Sequence, residues 1–344
     1  MNPQDRTLDR YQELMQINAA SHVLRAARQV GIFEELRGGQ RTAEQLAESL
    51  RLNRAGLDLL LDCLISMNVI ERYQDDHALA PVMQLLCQYD ADLGDVAWLR
   101  LPEKVRSDQL QHGETGDQSR DRSYLHALAA TQWVHTPAAM QAAEILDIGG
   151  PVVEPESDGE AHVSAAPLRI LDLGCGSAVW SCAMAFRDPE ATVLAVDEEA
   201  ALAAARSTAR SIELGERFET LTGQPEEVAL PASDFDLVVI AQRLHAASPA
   251  QRRQLLDQAI GALAPGGRLV LVDLFRGPAK PLLSETIEAL RIHVGTAAGQ
   301  MQSAQELKET LTERGLRDIG FTFIAASRIN LGMIVATKPQ STRG

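Results

Sequence analysis

The sequence predicts an α/β protein: a mostly parallel, Rossmann-like sheet with an antiparallel last strand, preceded by a mainly helical domain. Three observations carry this. From Leu168 onward, short apolar runs alternate with helical segments, the texture of strands buried on both faces and covered by helices. A glycine turn, Gly174-Cys175-Gly176, joins the first of these runs to a helix. Before Leu168, apolar residues recur at helical rather than strand spacing.

The first 90 residues form one predicted domain. Leu14, Ile17, Val23, Leu24, Ala27 and Val30 mark a helix over about 10–30, and Gly38-Gly39 breaks the chain. Thr42 and Gln45 have capping-box spacing before Leu46 and Leu50. Asn53 can cap a helix carrying Leu57, Leu60, Leu61, Leu64 and Ile65. VIERYQDDHALAP then reads as a hairpin turning at Gln74-Asp75-Asp76. Helices followed by a hairpin are the order of a winged helix. One short hairpin cannot cover Leu57, Leu60, Leu61 and Leu64, so a twofold partner is expected over them.

Residues 91–148 read as a helical connector, with helices over about 94–111 and 120–147 around the polar loop QHGETGDQSR. GGPVVEPESDGEAHVSAAP (149–167), rich in Gly, Pro and acid, reads as a flexible linker. The last domain, 168–340, has strands LRILDL (168–173), TVLAVD (192–197), FETLT (218–222), FDLVVIA (235–241) and RLVLVDL (268–274). Helices lie between them over 178–187, 198–213 and 248–263, the last stopped by Pro265-Gly266-Gly267. Helices over about 281–298 and 303–315 precede IGFTFIAAS and INLGMIVATK, two β-rich runs able to pair as a hairpin.

Composition narrows the function. The 344 residues carry 32 Lys and Arg against 47 Asp and Glu, a net charge of −15, which repels nucleic acid and anionic membranes. Residues 1–100 hold ten basic and fifteen acidic residues, and the hairpin tip is acidic, so the winged helix is not read as a DNA-binding regulator. Cys63, Cys87, Cys175 and Cys182 show neither CxxC nor metal-ligand spacing and read as reduced thiols of a cytoplasmic protein. The charged N-terminal segment has no apolar core of a signal peptide, and Asp62 interrupts the apolar LDLLLDCLIS, so no membrane span is expected.

The chemistry begins at Asp172-Leu173-Gly174-Cys175-Gly176-Ser177-Ala178. Glycines are needed where backbone approaches a ligand closely. Asp197 ends the next strand, 21 residues after Gly176, where an acid can accept from ribose hydroxyls. Val179 stands where the third glycine of a dinucleotide fingerprint would fall, and Asp172 would repel a pyrophosphate. A ligand with a sulfonium or ammonium group suits Asp172, which favours S-adenosylmethionine over NAD.

RILDLGCGSAVW, AVDEE, FDLVVIAQRLH and LAPGGRLVLVD resemble the successive motifs of class I S-adenosylmethionine-dependent methyltransferases, over about 168–340. The segment VGIFEELRGG through DDHALAP resembles the dimerisation domain of small-molecule O-methyltransferases, the group of the caffeic acid, acetylserotonin and bacterial natural-product enzymes. The resemblance implies a homodimer that methylates a small-molecule hydroxyl. It implies that Gly174 and Gly176 line the methionine end of the cofactor, that Asp197 holds the ribose, and that Gln224 lies near the adenine where the family often has an acid. It implies His245 as general base, although Ala246 and Ala247 replace the Asp-Trp that usually follows. Asp273 ends the next strand, close enough to orient His245. Met301 stands where plant-type enzymes keep a second acid. Trp133, Met140, His293 and Met301 are implied pocket residues, with core packing the stronger reading for Trp133 and Met140 and a solvated helix face equally open for His293. No acid stands in Ala241-Gln242-Arg243-Leu244-His245, so no catalytic metal is expected. Methylation of carbon or nitrogen, cofactor-assisted hydroxylation or decarboxylation, and a catalytically silent relative remain open alternatives.

Overall fold

The computed structural model describes residues 3–81, 83, 95–106, 118–149, 167–232, 234–276 and 282–340. Almost all of the predicted 149–167 linker, and the end of the helix expected over 94–111, lie outside the described residues. The chain divides into two compact units, Met1–Val96 and Ala97–Gly344.

In the first unit, helix α1 (Pro3–Gln29) is followed by α2 (Ile32–Arg37), β1 (Arg41–Thr42), α3 (Ala43–Ser49), α4 (Arg54–Ser66), β2 (Ile70–Tyr73) and β3 (Asp76–Leu79). The capping signals act as expected. The Gln45 backbone N–H donates to Thr42 Oγ1 at 3.2 Å while Thr42 N–H donates to Gln45 Oε1 at 2.9 Å, and Gly56 N–H donates to Asn53 Oδ1 at 2.8 Å. β2 and β3 pair antiparallel across Gln74-Asp75, and β1 adds to β3, completing the winged-helix order.

One expectation fails here. Leu57, Leu61 and Leu64 are fully buried within the unit, against Ile32, Phe33, Leu36 and Leu46. Helices α1, α2 and α3 cover them, because α4 is central to the unit rather than at its edge. The longest row of uncovered apolar side chains is on α1, with Leu8, Tyr11, Leu14, Met15 and Ile17 each more than half exposed, and Leu59 on α4 and Tyr73 on β2 are uncovered as well.

In the second unit, the single helix expected over 120–147 is three elements: α5 (Gln118–Thr131), a 3-10 turn (Gln132–His135) and α6 (Thr136–Ile145). Pro137 explains the break, since proline lacks an N–H and is tolerated in a first helical turn but not in an interior. The sheet then builds through β4 (Arg169–Leu173), α7 (Val179–Arg187), β5 (Thr192–Asp197), α8 (Glu199–Ser211), β6 (Phe218–Thr222), β7 (Phe235–Ala241), α9 (Pro249–Ala262) and β8 (Leu263–Arg276). It ends with α10 (Leu283–Gly295), β9 (Gln302–Ser303), α11 (Ala304–Glu313), β10 (Arg317–Phe323) and β11 (Leu331–Thr337). β8 is longer than predicted. Leu263 is already extended, and Gly266 and Gly267 exchange backbone hydrogen bonds with Lys338 instead of forming a free turn.

The order is β6-β5-β4-β7-β8-β11-β10, parallel from β6 to β8, with β11 and β10 antiparallel. The continuous apolar strands split by a period of two. Ile170, Val193, Leu237, Val239 and Val270 face one core, with Trp180 and Met184 of α7. Leu171, Val196, Val238, Ile240 and Leu271 face the other, with Leu255 and Leu256 of α9. A fully buried side chain of this kind contributes about 1.5–3 kcal/mol. The carboxyl ends of β4, β5 and β7 therefore meet on a rigid edge, where α/β sheets hold their ligands.

Candidate active site

A cavity of about 400 Å³ opens at that edge, with Gly174, Gly176, Asp197, Glu198, Gln224 and Arg243 in its wall. The glycine loop is built for close approach. Gly174 and Gly176 have φ of 76° and 57°, and a Cβ on Gly176 would stand 2.7 Å from Gln132 Oε1. Ala178 also has positive φ, 56°, and opens α7. Asp197 ties the two strand ends together: its Oδ2 accepts from Gly176 N–H at 2.9 Å and its Oδ1 from Glu198 N–H at 2.8 Å. Each carboxylate oxygen keeps a further lone pair toward the cavity. Gln224 donates its amide N–H to Glu198, which also pairs with Arg122 at 3.3 Å.

Asp172 lies beneath the loop, 1 % exposed. Its Oδ2 accepts from Ser181 Oγ at 2.5 Å, while its buried Oδ1 has no hydrogen-bond partner. Burial lifts its pKa to about 7, and the nearby Asp197 charge adds to the effect. An unpartnered buried carboxylate oxygen beside a glycine cradle, with a second acid at the next strand end, fits the cationic methionine end and the ribose of S-adenosylmethionine.

His245 follows β7 by four residues and is 1 % exposed. Its Nδ1 lies 2.6 Å from Asp273 Oδ1, and its backbone N–H donates to Asp273 Oδ2 at 3.0 Å. Asp273, on β8, is thus both orienter and anchor. A carboxylate only accepts, so Nδ1 carries the proton and Nε2 keeps the lone pair. Nε2 is 2.9 Å from the hydroxyl of Tyr124 on α5. Burial raises the Tyr124 pKa further above its already high ordinary value, so it stays a neutral donor.

The structure gathers Gly174, Gly176, Asp197 and Gln224 on the cavity wall, with Asp172 behind the loop and outside that wall, and brings His245 onto Asp273. The pocket residues fare differently. Trp133 is 40 % exposed, Met140 packs against the core, and neither they nor His293 belong to the cavity wall. Met301 lines a separate surface cavity with Arg276 and Lys308. Trp133 falls in the 3-10 turn before Pro137, and Met301, directly before β9, packs against the same core as Met140. The wall near His245 is formed instead by Leu125, Leu128, Ala246, Ala247 and Ala297.

Sequence reasoning missed Tyr124, Gln132, Gln242 and the Arg243–Glu226 pair. Gln132 Oε1 accepts from Ser177 N–H at 2.9 Å, and Gln242 Oε1 accepts from Trp180 Nε1 at 3.3 Å. Arg243 and Glu226, both buried on the cavity, lie 3.5 Å apart. Only the fold brings these distant segments together, and no local spacing marks them. Among the described residues, no group of three or more His, Cys, Asp or Glu side chains is placed to hold a metal ion. None of the described helices is long and apolar enough to cross a membrane.

Residues 170–267 match the methyltransferase domain model and residues 12–85 the O-methyltransferase dimerisation domain model. The chain belongs to the S-adenosylmethionine-dependent methyltransferases that join these two domains. It is 22% identical over 346 residues to the 3-hydroxy-5-methyl-1-naphthoate 3-O-methyltransferase of Streptomyces sahachiroi, covering 92% of each chain. It is 25% identical to the N,N-dimethyltransferase OxyT of Streptomyces rimosus, covering 95% of this chain and 96% of that one. The fold is shared with human N-acetylserotonin methyltransferase, solved in complex with S-adenosylmethionine, at a TM-score of 0.69, 19% identity and 99% of both chains.

Proposed function

We propose that the protein methylates a hydroxyl of a small molecule, with His245 as general base and Asp273 as its orienting partner. The observation that carries this is the buried 2.6 Å contact between His245 Nδ1 and Asp273, beside the cavity that holds the glycine loop. The cofactor supplies an electrophilic methyl carbon on a sulfonium. Asp197 orients its ribose, the glycine loop gives its methionine end close approach, and Asp172 balances its positive charge. His245 is the base on which the hydroxyl proton ends as the acceptor oxygen bonds to the methyl carbon and the carbon–sulfur bond breaks. A phenol's proton is within reach of an imidazole base when proton and methyl transfer are concerted. Asp273 stabilises the imidazolium that forms.

The exposed apolar stripe on α1, within a dimerisation domain, supports a homodimer built through that helix. Cys175 and Cys182, buried and unpaired, support a reducing, cytoplasmic setting. A nitrogen acceptor is a second reading. It is favoured by the Tyr124 hydroxyl covering His245 Nε2, since a neutral amine needs no base to attack, and by the likeness to an N,N-dimethyltransferase.

The test is a mass-spectrometric screen of a metabolite extract with isotopically labelled S-adenosylmethionine for a labelled product one methylene heavier. With that acceptor, His245→Ala should lower turnover about 10²–10⁴-fold while leaving S-adenosylhomocysteine affinity unchanged. A variant that keeps more than about half of wild-type turnover eliminates the base role.

A further inference from the structure

His245 and Tyr124 both lie behind the cavity wall, and the one basic nitrogen of His245 is already occupied. Nδ1 is committed to Asp273 at 2.6 Å, and Nε2 to the Tyr124 hydroxyl at 2.9 Å. Both rings are buried, at 1 % and 6 % exposure, and meet edge to face with centroids 5.7 Å apart. A proton reaching Nε2 in this arrangement arrives through Tyr124 Oη.

The position of Tyr124 is built from three sides. Its ring fills the space of a missing side chain, since a Cβ on Gly295 would stand 2.8 Å from Tyr124 Cδ2. The Arg291 guanidinium lies 5.2 Å from the ring centroid on the same helix α10. Asp121, one turn earlier on α5, accepts from Ala297 N–H at 2.8 Å and fixes that helix against the end of α10. Asp121, Leu125 and Leu128 of α5 line the cavity, and Tyr124, buried and outside the wall itself, stands directly behind that stripe, between the wall and His245.

We propose that Tyr124 is the catalytic residue that meets the acceptor hydroxyl, relaying its proton to His245 in a Tyr124–His245–Asp273 chain. The inference rests on the reading of His245 as the base. The step balances without any further reactant. The acceptor O–H bond breaks as its oxygen bonds to the methyl carbon. Tyr124 Oη gains that proton while giving its own to His245 Nε2. The methyl carbon's bond to sulfur supplies the leaving pair, and Asp273 faces the resulting imidazolium. The phenol is neutral before and after.

The experiment compares Tyr124→Phe, His245→Ala and the double variant, using the acceptor found in the methylation screen. Phenylalanine keeps the ring, its Gly295 niche and its contact with Arg291. Thermal unfolding and calorimetric binding of S-adenosylhomocysteine establish that each variant is folded and cofactor-competent. The relay predicts that Tyr124→Phe lowers kcat about 10²–10⁴-fold, as His245→Ala does, with KM little changed and the double variant no slower than either. A ring-fluorinated acceptor, ionised at the assay pH, should restore both single variants toward wild-type turnover, which a packing defect would not allow. If His245→Ala is slow and Tyr124→Phe stays within twofold of wild type, the relay is overturned and the base reading stands. If His245→Ala is itself within twofold, or only amines are methylated, both fall together.

Discussion

Replacing Asp172 by Asn should make the protein more stable at neutral pH and a poorer binder of its cofactor. Asp172 is buried, with one carboxylate oxygen on Ser181 and the other unpartnered. Burial holds its folded pKa at about 7 against an ordinary 3.8, and each unit is about 1.4 kcal/mol. Between these values the folded state keeps a proton that the unfolded chain has lost. Stability therefore falls as pH rises, at about 1.4 kcal/mol per unit, to a total of about 4 kcal/mol. The contribution is fully present below the unfolded pKa and is gone above about pH 7. Asn cannot ionise, so denaturant unfolding from pH 4.5 to 8 should show the variant gaining on the wild type across that window. A bound cation opposite the carboxylate reverses the balance. S-adenosylmethionine affinity at pH 8 should fall about tenfold to a hundredfold in the variant, the worth of a charged hydrogen bond. Parallel unfolding curves would refute the burial argument, and unchanged affinity by calorimetry would refute the pairing of Asp172 with a cation.

Asp197→Ala removes the acceptor of Gly176 N–H and Glu198 N–H as well as the ribose contact, so S-adenosylhomocysteine affinity should drop at least tenfold in calorimetry. Gly176→Ala places a Cβ 2.7 Å from Gln132 Oε1 and should weaken the cofactor site, whereas Gly215→Ala, with a similar φ and open space, should cost only about 1–2 kcal/mol of backbone strain in unfolding experiments. Leu14→Glu with Ile17→Glu should yield a 37.4 kDa monomer by light scattering with an intact melting transition, because neither side chain is in the core of its unit.

The central strands were legible because burial on both faces writes itself as apolar runs, as in β7, which begins and ends where FDLVVIA does, while β6, an edge strand with no fully buried residue, was legible from the β-formers of FETLT. Caps were legible where a side chain answers its own helix, as at Thr42 and Asn53. The Asp172, Gly174, Gly176 and Asp197 group was legible because adjacent strand ends of a parallel sheet come together whatever lies between them. Tyr124 was not, because it reaches His245 across 121 residues from a helix with no marked periodicity. That Trp133 and Met301 stand off the cavity wall was not legible, because each position depends on the direction of a side chain at an irregular turn. Leu57, Leu61 and Leu64 misled because an apolar helix face says only that it is covered, not whether by its own domain or by a partner.

The two alanines after His245 have a consequence for how this cavity can change. Ala246 and Ala247 are wall, yet neither supplies a side-chain group to the hydrogen bonds that fix the imidazole; Asp273 does that from the neighbouring strand, gripping both the ring and its backbone. Contour and reactivity are thus written on separate stretches of chain. Larger residues at 246 and 247 would trim the space offered to an acceptor while the ring stayed anchored, so the range of molecules admitted could be retuned by substitutions that never touch the proton-handling groups.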